Sequence, residues 1–504
     1  MGKDYILVAD EGTTGLRGVV FNRNMEIVGQ HYEKITSFYP GPSEVEQDGE
    51  EIWEKQVLAL REAVKKAGIS PEEIAAVGVT HQRGTHGYWN KKTGMIHGRF
   101  MVWQDTRGVR ARKTLLEDPA FQKLGERYPI VKLTTETMAS SEPACDRAMF
   151  DEHPDLLAEI QADPDCVWGG IDTWLLYKLT GGKVHAMCAS HAGTLPIYDH
   201  DDDGFNYEAL AFAYITKEMM PEVLPDVHDY GMMTADILGI EIPIKSCIAD
   251  QQSALFSEGG QGLGSAKCTM GTGTFVDVNI GLGHPTSGMF FPICAWKING
   301  VKTFMYEAAV TAAGTSLEWA KSNIRLFDNF GEMDDIALSV EDNAGVYFVP
   351  GLSGMDGAPF MNTNGRGSFM GLEARSTRAN FVRALLESFG YSTAYLFEEI
   401  GTAVENFRAG TINVDGGVSR SKVVCQTISD LLGVKVIRQK ADEATAMGAA
   451  EMAAINLGWF GEEDVTRFII VDKEYTPSEN AGKLKENYKM WRKAVERSKD
   501  WIED

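Results

Sequence analysis

The segment DEGTTGLR, residues 10–17, carries the first group of residues suited to chemistry and directly follows the apolar run YILVA. Its glycines let backbone N–H groups converge on an anion, and its threonines add hydroxyl donors. A carboxylate beside such a loop repels phosphate unless a divalent cation lies between them. Asp10 is therefore a candidate to hold Mg²⁺ through water. Arg17 is suited to place positive charge on a phosphoryl group during transfer.

Two later turns, GTGT at 271–274 and DGG at 415–417, have a similar composition and also follow apolar runs. Each of the three turns, taken alone, is also explained as a glycine turn between strands. Three such turns in two halves of one chain favour phosphate binding. No GxGxxG follows the first strand and no GxxxxGK[ST] is present, which disfavours a Rossmann dinucleotide site and a P-loop.

The elements that must position these turns alternate between strands and helices. Residues 5–10 and 17–22 read as two strands joined by the first turn. Apolar residues at helical spacing predict a helix that begins after the N-cap candidate Asp48 and stops at Gly68. Residues 74–82 follow as a buried strand. The order strand, strand, helix, strand predicts an α/β fold with a mixed sheet.

The second half of the chain repeats this pattern. Residues 265–281 read as two strands around a glycine turn, and residues 411–433 as a strand, a glycine turn and a helix. The pattern indicates a degenerate internal duplication. A chain of 504 residues is also too long for one core. We place the boundary near Pro243–Ile248, which gives domains 1–247 and 248–504.

The composition limits the classes of partner and compartment. The net charge of −24 would repel a polyanion, so we expect no nucleic-acid partner. No apolar run has the length of a membrane span, so we expect no membrane partner. The odd number of scattered cysteines is typical of reduced thiols and favours the cytoplasm over a disulfide framework. These seven residues are Cys145, Cys166, Cys188, Cys247, Cys268, Cys294 and Cys425.

Nine co-linear motifs resemble the FGGY family of carbohydrate kinases, and the glycerol kinases in particular. They are DEGTTGLRGVVFN, VTHQR, MVWQDTR, GIDTWLLYKLTGG, ADQQSALF, MGTGTF, GRGSFMGLEARSTRANFVRALLE, VDGGVSRS and EATAMGAA. The resemblance implies an α/β protein of two RNase H-like (actin-like ATPase) domains with a central ligand cleft. It also implies that the first domain binds the acceptor, and that the second binds ATP and carries the catalytic aspartate.

The resemblance assigns roles residue by residue. Asp250 matches the catalytic base, although an Asp before a helix is otherwise more often an N-cap. The acceptor site matches at Arg83, Trp103, Asp250 and Gln251, with Gly84 beside them. The phosphate and nucleotide positions are Gly12, Thr13, Thr14, Arg17, Gly271, Thr272, Gly273, Gly314, Glu318, Gly416, Gly417 and Ser421. Glu318 and Ser421 depart from the glutamine and asparagine of glycerol kinases, but both still form hydrogen bonds, which supports the use of ATP.

The acceptor pocket departs from the glycerol kinase pattern in two places. Gly84 replaces a glutamate that binds glycerol hydroxyls, and the segment 134–146 lacks the expected tyrosine. Thr137, Met138 and Ser140 are candidates to fill that wall. Each lost contact to a hydroxyl is worth about 1–3 kcal/mol, so substrate choice should change. We expect glycerol to be a poorer acceptor than a polyol or ketose of four or five carbons.

The sequence thus predicts an ATP- and Mg²⁺-dependent kinase for a terminal hydroxyl of a small polyol or sugar, and a homo-oligomer, specifically a dimer. An ordinary glycerol kinase and a pentulose (xylulose-type) kinase remain alternatives. A rival from another class is an actin- or chaperone-like ATPase that needs no small-molecule acceptor. The polar groups QR at 82–83, Trp103 and DQQ at 250–252 favour the kinase, because they are suited to hold a sugar.

Overall fold

A computed structural model describes residues 2–138, 140, 142–271, 273–287, 290–310, 313–352, 354–355, 357–440 and 443–502. The strands are β1 (Tyr5–Gly12), β2 (Gly15–Asn22), β3 (Ile27–Lys34), β4 (Ser37–Phe38), β5 (Glu46–Gln47), β6 (Ile74–His81), β7 (His86–Asn90), β8 (Ile96–Met101), β9 (Cys166–Gly170), β10 (Ala186–Cys188), β11 (Tyr198–Asp199), β12 (Gly204–Phe205), β13 (Glu222–Leu224), β14 (Met232–Met233), β15 (Ile242–Ala249), β16 (Ala266–Met270), β17 (Thr274–Gly281), β18 (Pro292–Ile298), β19 (Val301–Val310), β20 (Tyr347–Val349), β21 (Ser368–Met370), β22 (Ile412–Asp415), β23 (Val436–Gln439) and β24 (Val471–Tyr475).

The α-helices are α1 (Gly49–Ala67), α2 (Gly108–Glu117), α3 (Pro119–Arg127), α4 (Pro129–Thr137), α5 (Glu142–Glu152), α6 (Pro154–Ala162), α7 (Ile171–Leu179), α8 (Ala189–Ala192), α9 (Tyr207–Ala211), α10 (Ala235–Leu238), α11 (Asp250–Ser257), α12 (Ala313–Ser322), α13 (Met333–Leu338), α14 (Arg378–Ala403), α15 (Lys422–Leu432), α16 (Ala444–Asn456) and α17 (Ala481–Ser498). Within the described ranges, none of these helices combines the length and the apolar character needed to cross a membrane.

The chain divides into two structural units. The first contains Met1–Ser257, Cys294–Lys302 and Glu443–Phe468, and the second contains Glu258–Ile293, Thr303–Asp442 and Ile469–Asp504. The boundary predicted between residues 247 and 248 falls inside β15, a central strand of the first unit.

The first unit contains a six-stranded mixed sheet in the order β14-β15-β6-β1-β2-β3. β1 pairs antiparallel with β2 and parallel with β6, and β6 pairs parallel with β15. This arrangement confirms the predicted mixed sheet, but the predicted order strand, strand, helix, strand lacks β3, which follows β2 in the chain and pairs antiparallel with it. Helix α1 begins after Asp48, whose carboxylate accepts from Glu50 N and Glu51 N, and it ends at Gly68, which has a φ of 68°. Both predicted ends of the helix are therefore confirmed.

The second unit repeats the pattern with the strand order β19-β17-β16-β22-β23-β24. β16 pairs antiparallel with β17 and parallel with β22, as β1 pairs with β2 and β6. The long helix α14 packs its apolar face into the core of this unit. Helix α17 buries Leu484, Tyr488, Trp491 and Val495, as its helical spacing predicts.

Candidate active site

Three strand ends bring the predicted residues of the first unit to one edge of the sheet. Asp10 on β1 lies opposite Thr80 on β6, and Ala249 on β15 lies opposite His81. Because the carboxyl ends of parallel strands meet at the same edge, the residues that follow β6 and β15 are neighbours of Asp10. The loop 82–85 and Asp250 occupy these two places. The strand register therefore positions the phosphate turn, the acceptor loop and the candidate base together.

Asp10 lies among acidic side chains and is 3% exposed. Burial raises the pKa of Asp10 to about 7, against the pull of Arg17, and the carboxylates of Glu443 and Asp250 raise it further. Arg17 lies 3.4 Å from Asp10 Oδ2 and 3.2 Å from Glu443 Oε2. A cluster of acids around one arginine fits a divalent cation, because the added charge offsets both the burial and the mutual repulsion. The residues therefore suit the Mg²⁺ predicted from the sequence.

A chain of buried amides connects the phosphate turn with the acceptor loop. Gln82 Nε2 donates to Glu11 Oε1 at 2.8 Å and to Gln47 Oε1 at 3.1 Å. Gln47 Nε2 in turn donates to the carbonyl of Thr13 at 2.8 Å. Burial raises the pKa of Glu11 well above its usual range. The network fixes the loop 82–85 against the phosphate turn, and sequence reasoning missed the part played by Glu11 and Gln47.

The four predicted acceptor residues lie around this edge. Arg83 Nε is 3.6 Å from Asp250 Oδ1, so the two side chains form an ion pair. Asp250 begins α11, and its Oδ1 accepts from the backbone N–H of Gln251 at 2.7 Å. Trp103 is 47% exposed, and its Nε1 donates to Thr13 Oγ1 at 2.9 Å. The arrangement presents a carboxylate, a guanidinium and an indole face, which suits the recognition of a hydroxylated molecule.

Gly84 has a φ of 70°, a conformation that L side chains rarely adopt. Its backbone N–H donates to His191 Nε2 at 3.1 Å, while His191 Nδ1 donates to Asp172 Oδ1 at 2.8 Å. Although burial opposes its ionisation, His191 holds the pKa of Asp172 below its usual range. The charged Asp172 therefore fixes the tautomer of His191, and the imidazole fixes the backbone at Gly84. Neither residue was predicted.

Glu142 is the acidic residue that sequence reasoning missed on the wall at 134–146. A Cβ at Gly84 would lie 3.2 Å from Trp103 Cβ and 3.5 Å from Glu142 Oε1. Of the wall candidates, Thr137 donates its hydroxyl to the carbonyl of Leu133 in its own helix. Met138 is 43% exposed, and Ser140 is half-buried. Glu142 lies within the segment 134–146 that the sequence offered as the pocket wall, and only the fold shows that its side chain reaches Gly84.

In the second unit, the predicted glycines form a set of adjoining turns. Gly271 N–H donates to the carbonyl of Gly273 at 2.9 Å, and Gly314 N–H donates to the carbonyl of Gly271 at 3.1 Å. Gly416 has a φ of 81°, and a Cβ there would lie 2.5 Å from the carbonyl oxygen of Met270. The turn after β16, the start of α12 and the turn after β22 are thus brought together. Such closely packed backbone amides suit the binding of an anion.

The remaining predicted nucleotide residues lie on separate elements of the second unit. Glu318 is exposed on α12, one turn after Gly314, and its Oε1 accepts from Ser322 Oγ at 2.5 Å. Ser421 is the N-cap of α15, and its hydroxyl donates to Asp334 Oδ1 at 2.5 Å. Gly417 has open space around its Cβ direction. Thr272 lies outside the described residues.

Gly12, Thr13 and Thr14 form the tip of the turn between β1 and β2, as predicted. Gly12 lies opposite Gly15 in the antiparallel register. The carbonyl of Thr14 accepts from Ile35 N and from Tyr32 Oη. The backbone of the tip is thus held at Thr13 by Gln47 and at Thr14 by β3, which leaves a short, fixed loop for a ligand.

Comparison with known proteins agrees with this geometry. The family model for the N-terminal domain of the FGGY family of carbohydrate kinases matches residues 5–257, and that for the C-terminal domain matches residues 266–457. A glycerol kinase of Trichodesmium erythraeum is 35% identical over 506 residues, which cover 99% of this chain and 98% of that protein. Glycerol kinase 2 of Thermotoga maritima is 34% identical, with 99% of each chain covered.

Solved structures agree on the fold. A crystal structure of Plasmodium falciparum glycerol kinase with ADP has a TM-score of 0.86 at 24% identity, with 99% of each chain covered. Ligand-bound xylulose kinase of Lactobacillus acidophilus has a TM-score of 0.81 at 18% identity, with 98% of each chain covered. The protein has the two-domain actin-like ATPase fold. The chain belongs to the FGGY family of carbohydrate kinases, which use ATP with Mg²⁺ to phosphorylate a hydroxyl group of a sugar or polyol.

Proposed function

We propose that this kinase phosphorylates the terminal hydroxyl of a small polyol or ketose, with Asp250 as the general base. The observation that carries the proposal is the pairing of Asp250 Oδ1 with Arg83 Nε at 3.6 Å, beside the exposed indole of Trp103. An alcohol is a poor nucleophile, and a carboxylate within hydrogen-bond reach orients it and takes its proton as the new P–O bond forms. The ion pair with Arg83 holds the Asp250 carboxylate in position at the start of α11.

The phosphate and nucleotide roles are divided between the units. In the first unit, Asp10 would hold Mg²⁺, and Arg17 with the amides of the turn 12–14 would contact phosphate oxygens. In the second unit, the turns at 271–273, Gly314 and 416–417 would hold the nucleotide, with Glu318 and Ser421 as further nucleotide-binding residues. The bound Mg²⁺ would neutralise phosphate charge during transfer. The supporting observation is that the backbone of these turns is fixed by hydrogen bonds before any ligand binds.

Two features of the pocket bear on which acceptor is phosphorylated. Gly84 adds no side chain to the pocket, and the segment 134–146 contains no tyrosine. These two features favour a polyol or ketose of four or five carbons over glycerol. An ordinary glycerol kinase is the second candidate, because relatives of that name are 34–35% identical over almost the whole chain.

Two further features belong to the proposal. All seven cysteines are free and buried, which supports a reducing compartment and hence the cytoplasm. We also infer a homodimer, as the sequence predicted. The rival ATPase without a small-molecule acceptor is disfavoured by membership of a carbohydrate kinase family and by the polar acceptor residues around Asp250.

The test is an acceptor panel assayed for ADP formation, with the phosphorylated product identified by mass spectrometry. The panel contains glycerol, four- and five-carbon polyols, and ketoses and aldoses of five and six carbons. We expect Mg²⁺-dependent ADP formation with at least one four- or five-carbon acceptor, and a lower kcat/KM for glycerol. ADP formation at the no-acceptor background across the panel would contradict the proposal. A preference for glycerol would support the second candidate.

A further inference from the structure

The side chain of Glu142 lies beside the place that the absent side chain of residue 84 leaves. Its Oε1 lies 3.5 Å from the position of a Cβ on Gly84, which is within the reach that a glutamate at 84 would have. Glu142 is the first residue of α5 and lies about 60 residues further along the chain. The same Cβ position is 3.2 Å from Trp103 Cβ, so the carboxylate lies at the acceptor residues already described. A carboxylate is therefore present beside residue 84, but it is carried by another element.

Glu142 is buried without full hydrogen bonding. The residue is 7% exposed, and within the described part of the chain its Oε2 accepts no hydrogen bond. One turn later on the same helix, Asp146 Oδ1 accepts from Tyr88 Oη at 2.8 Å and pairs with His86 Nε2 at 3.2 Å. Both acids keep one oxygen without a partner, but Asp146 is bound through Oδ1 to core side chains, whereas Oε1 of Glu142 lies beside Gly84. A buried polar atom without a partner is costly, so a hydrogen bond from a ligand to Glu142 would lower that cost.

We propose that Glu142 forms a hydroxyl-binding subsite of the acceptor pocket, in which its carboxylate accepts a hydrogen bond from a non-reacting hydroxyl of the polyol or ketose. The subsite rests on the proposed function, because it needs a hydroxylated acceptor at Arg83 and Trp103. It changes the interpretation of Gly84: the hydroxyl-binding carboxylate has moved from the loop after β6 to the start of α5.

The charges around Glu142 agree with such a role. Burial raises the pKa of Glu142 to about 7, against the pull of His86 and His191. Although burial opposes a charged ring, Asp146 raises the pKa of His86 to about 9, so an imidazolium lies near Glu142 at neutral pH. His191 contacts Asp172 and the Gly84 backbone, and Asp146 is the other acid near Glu142. An acceptor hydroxyl would add the hydrogen bond that these neighbours do not supply.

The experiment combines Glu142→Gln with deoxy analogues of the best acceptor from the panel. Glutamine keeps the shape but removes the charged acceptor, so kcat/KM for the acceptor should fall about 10- to 100-fold. The loss should lie mainly in the acceptor KM, with the KM for ATP within about twofold of wild type. Glu136→Gln is the matched control, because Glu136 lies exposed on α4, where it pairs with Lys132 at 3.9 Å. It should leave all constants unchanged.

The deoxy analogues distinguish a hydrogen bond between Glu142 and one acceptor hydroxyl from a general disturbance of the pocket. Removal of one particular hydroxyl should lower kcat/KM strongly in the wild-type protein. In the Glu142→Gln variant the same removal should have only a weak effect, because the carboxylate that binds this hydroxyl is already lost. If every deoxy analogue loses the same factor in both proteins, Glu142 does not bind a hydroxyl and the subsite is wrong. If the wild-type protein forms no ADP with any acceptor, the proposed function itself fails, and that result is seen before any variant is made.

Thermal unfolding distinguishes this subsite from a structural role. Glutamine removes a buried charge that has no full set of partners, so the variant should unfold at the wild-type temperature or above it. A fall of more than about 5 °C without a change in acceptor selectivity would show a structural role and overturn the subsite. Glu142→Asp is the second variant. It keeps the charge but shortens the side chain, and calorimetric titration with the acceptor should give an affinity between those of wild type and Glu142→Gln.

Discussion

The nucleotide turns of the second unit are formed by backbone atoms, whereas the acceptor pocket of the first unit is formed by side chains. Backbone atoms form the nucleotide turns: Gly314 N–H donates to the carbonyl of Gly271, and a Cβ at Gly416 would lie only 2.5 Å from the carbonyl oxygen of Met270. Side chains make the acceptor pocket, and they come from four separate elements. A backbone site restricts residue types at fixed positions of the chain. A side-chain site can keep its chemistry while its residues move to other positions.

Glycine 84 and glycine 416 show this difference directly. Both have positive φ, at 70° and 81°. At Gly416 a side chain would collide with a strand carbonyl, whereas at Gly84 it would meet the Cβ of Trp103 at 3.2 Å and the carboxylate of Glu142 at 3.5 Å. Glycine 416 is required by the packing of the turn, and glycine 84 accompanies a carboxylate supplied from elsewhere. Glycine is therefore present at these two positions for two different structural reasons.

Replacing Asp250 with asparagine should give the largest effect. Asparagine keeps an oxygen that can accept from the Gln251 N–H but cannot take a proton, so kcat should fall about 10²- to 10⁴-fold with little change in the KM for ATP. Steady-state kinetics with the best acceptor provide the measurement, and Asp155→Asn on the exposed face of α6 is the control. A near wild-type kcat would leave Asp250 as a helix cap alone.

Replacing Asp10 with alanine should give the next effect, a loss of turnover of about 100-fold or more, since the charge that holds Mg²⁺ is removed. The protein should remain folded, because Arg17 keeps Glu443 as a partner at 3.2 Å. Asp4→Ala, at an exposed position just before β1, is the control. Activity would be titrated with Mg²⁺ in both variants. An unchanged Mg²⁺ requirement in Asp10→Ala would remove Asp10 from the metal site.

Gly416→Ala tests the backbone side of the comparison. The methyl group would lie 2.5 Å from Met270 O, and alanine is strained at a φ of 81°. We expect a loss of about 1–3 kcal/mol in the free energy of unfolding and a higher KM for ATP, as β16 shifts. Gly417→Ala is the matched control for unfolding, because a Cβ there has no neighbour within 4 Å. Equal melting temperatures of the two variants would contradict a packing requirement at Gly416.

Sequence reasoning recovered the parts of this molecule whose signal is local. The caps of α1 and the strand pairs around both glycine turns each depend on residues close together in the chain. Glu142 has no local signal for its role, because its distance to Gly84 depends on how α5 packs against the loop after β6. Likewise, the hydrogen bonds from Asp172 through His191 to Gly84 join residues that only the fold brings together.

We expect Gly84→Glu to give the smallest change, which is measured in the ratio of kcat/KM between glycerol and longer acceptors. If Glu142 already supplies the carboxylate, a second one at residue 84 would lie close to it, and two like charges about 5 Å apart repel by roughly 3 kcal/mol at an effective dielectric constant of 20. The backbone strain at a φ of 70° adds to this cost. We therefore expect kcat/KM to fall for glycerol and for longer acceptors alike, so that their ratio changes by less than about threefold.

Two further variants measure the backbone strain and the charge repulsion separately. Gly84→Ala carries the same backbone strain without a charge, so it measures the strain alone. The double variant Gly84→Glu/Glu142→Gln restores a single carboxylate and should recover part of the activity that Gly84→Glu loses, with glycerol gaining at least as much as the longer acceptors. The measurement is kcat/KM for glycerol and for the best four- or five-carbon acceptor in all four proteins. A tenfold shift toward glycerol in Gly84→Glu alone would mean that the place beside residue 84 is open, and Glu142 would then be a wall residue without a hydroxyl to bind.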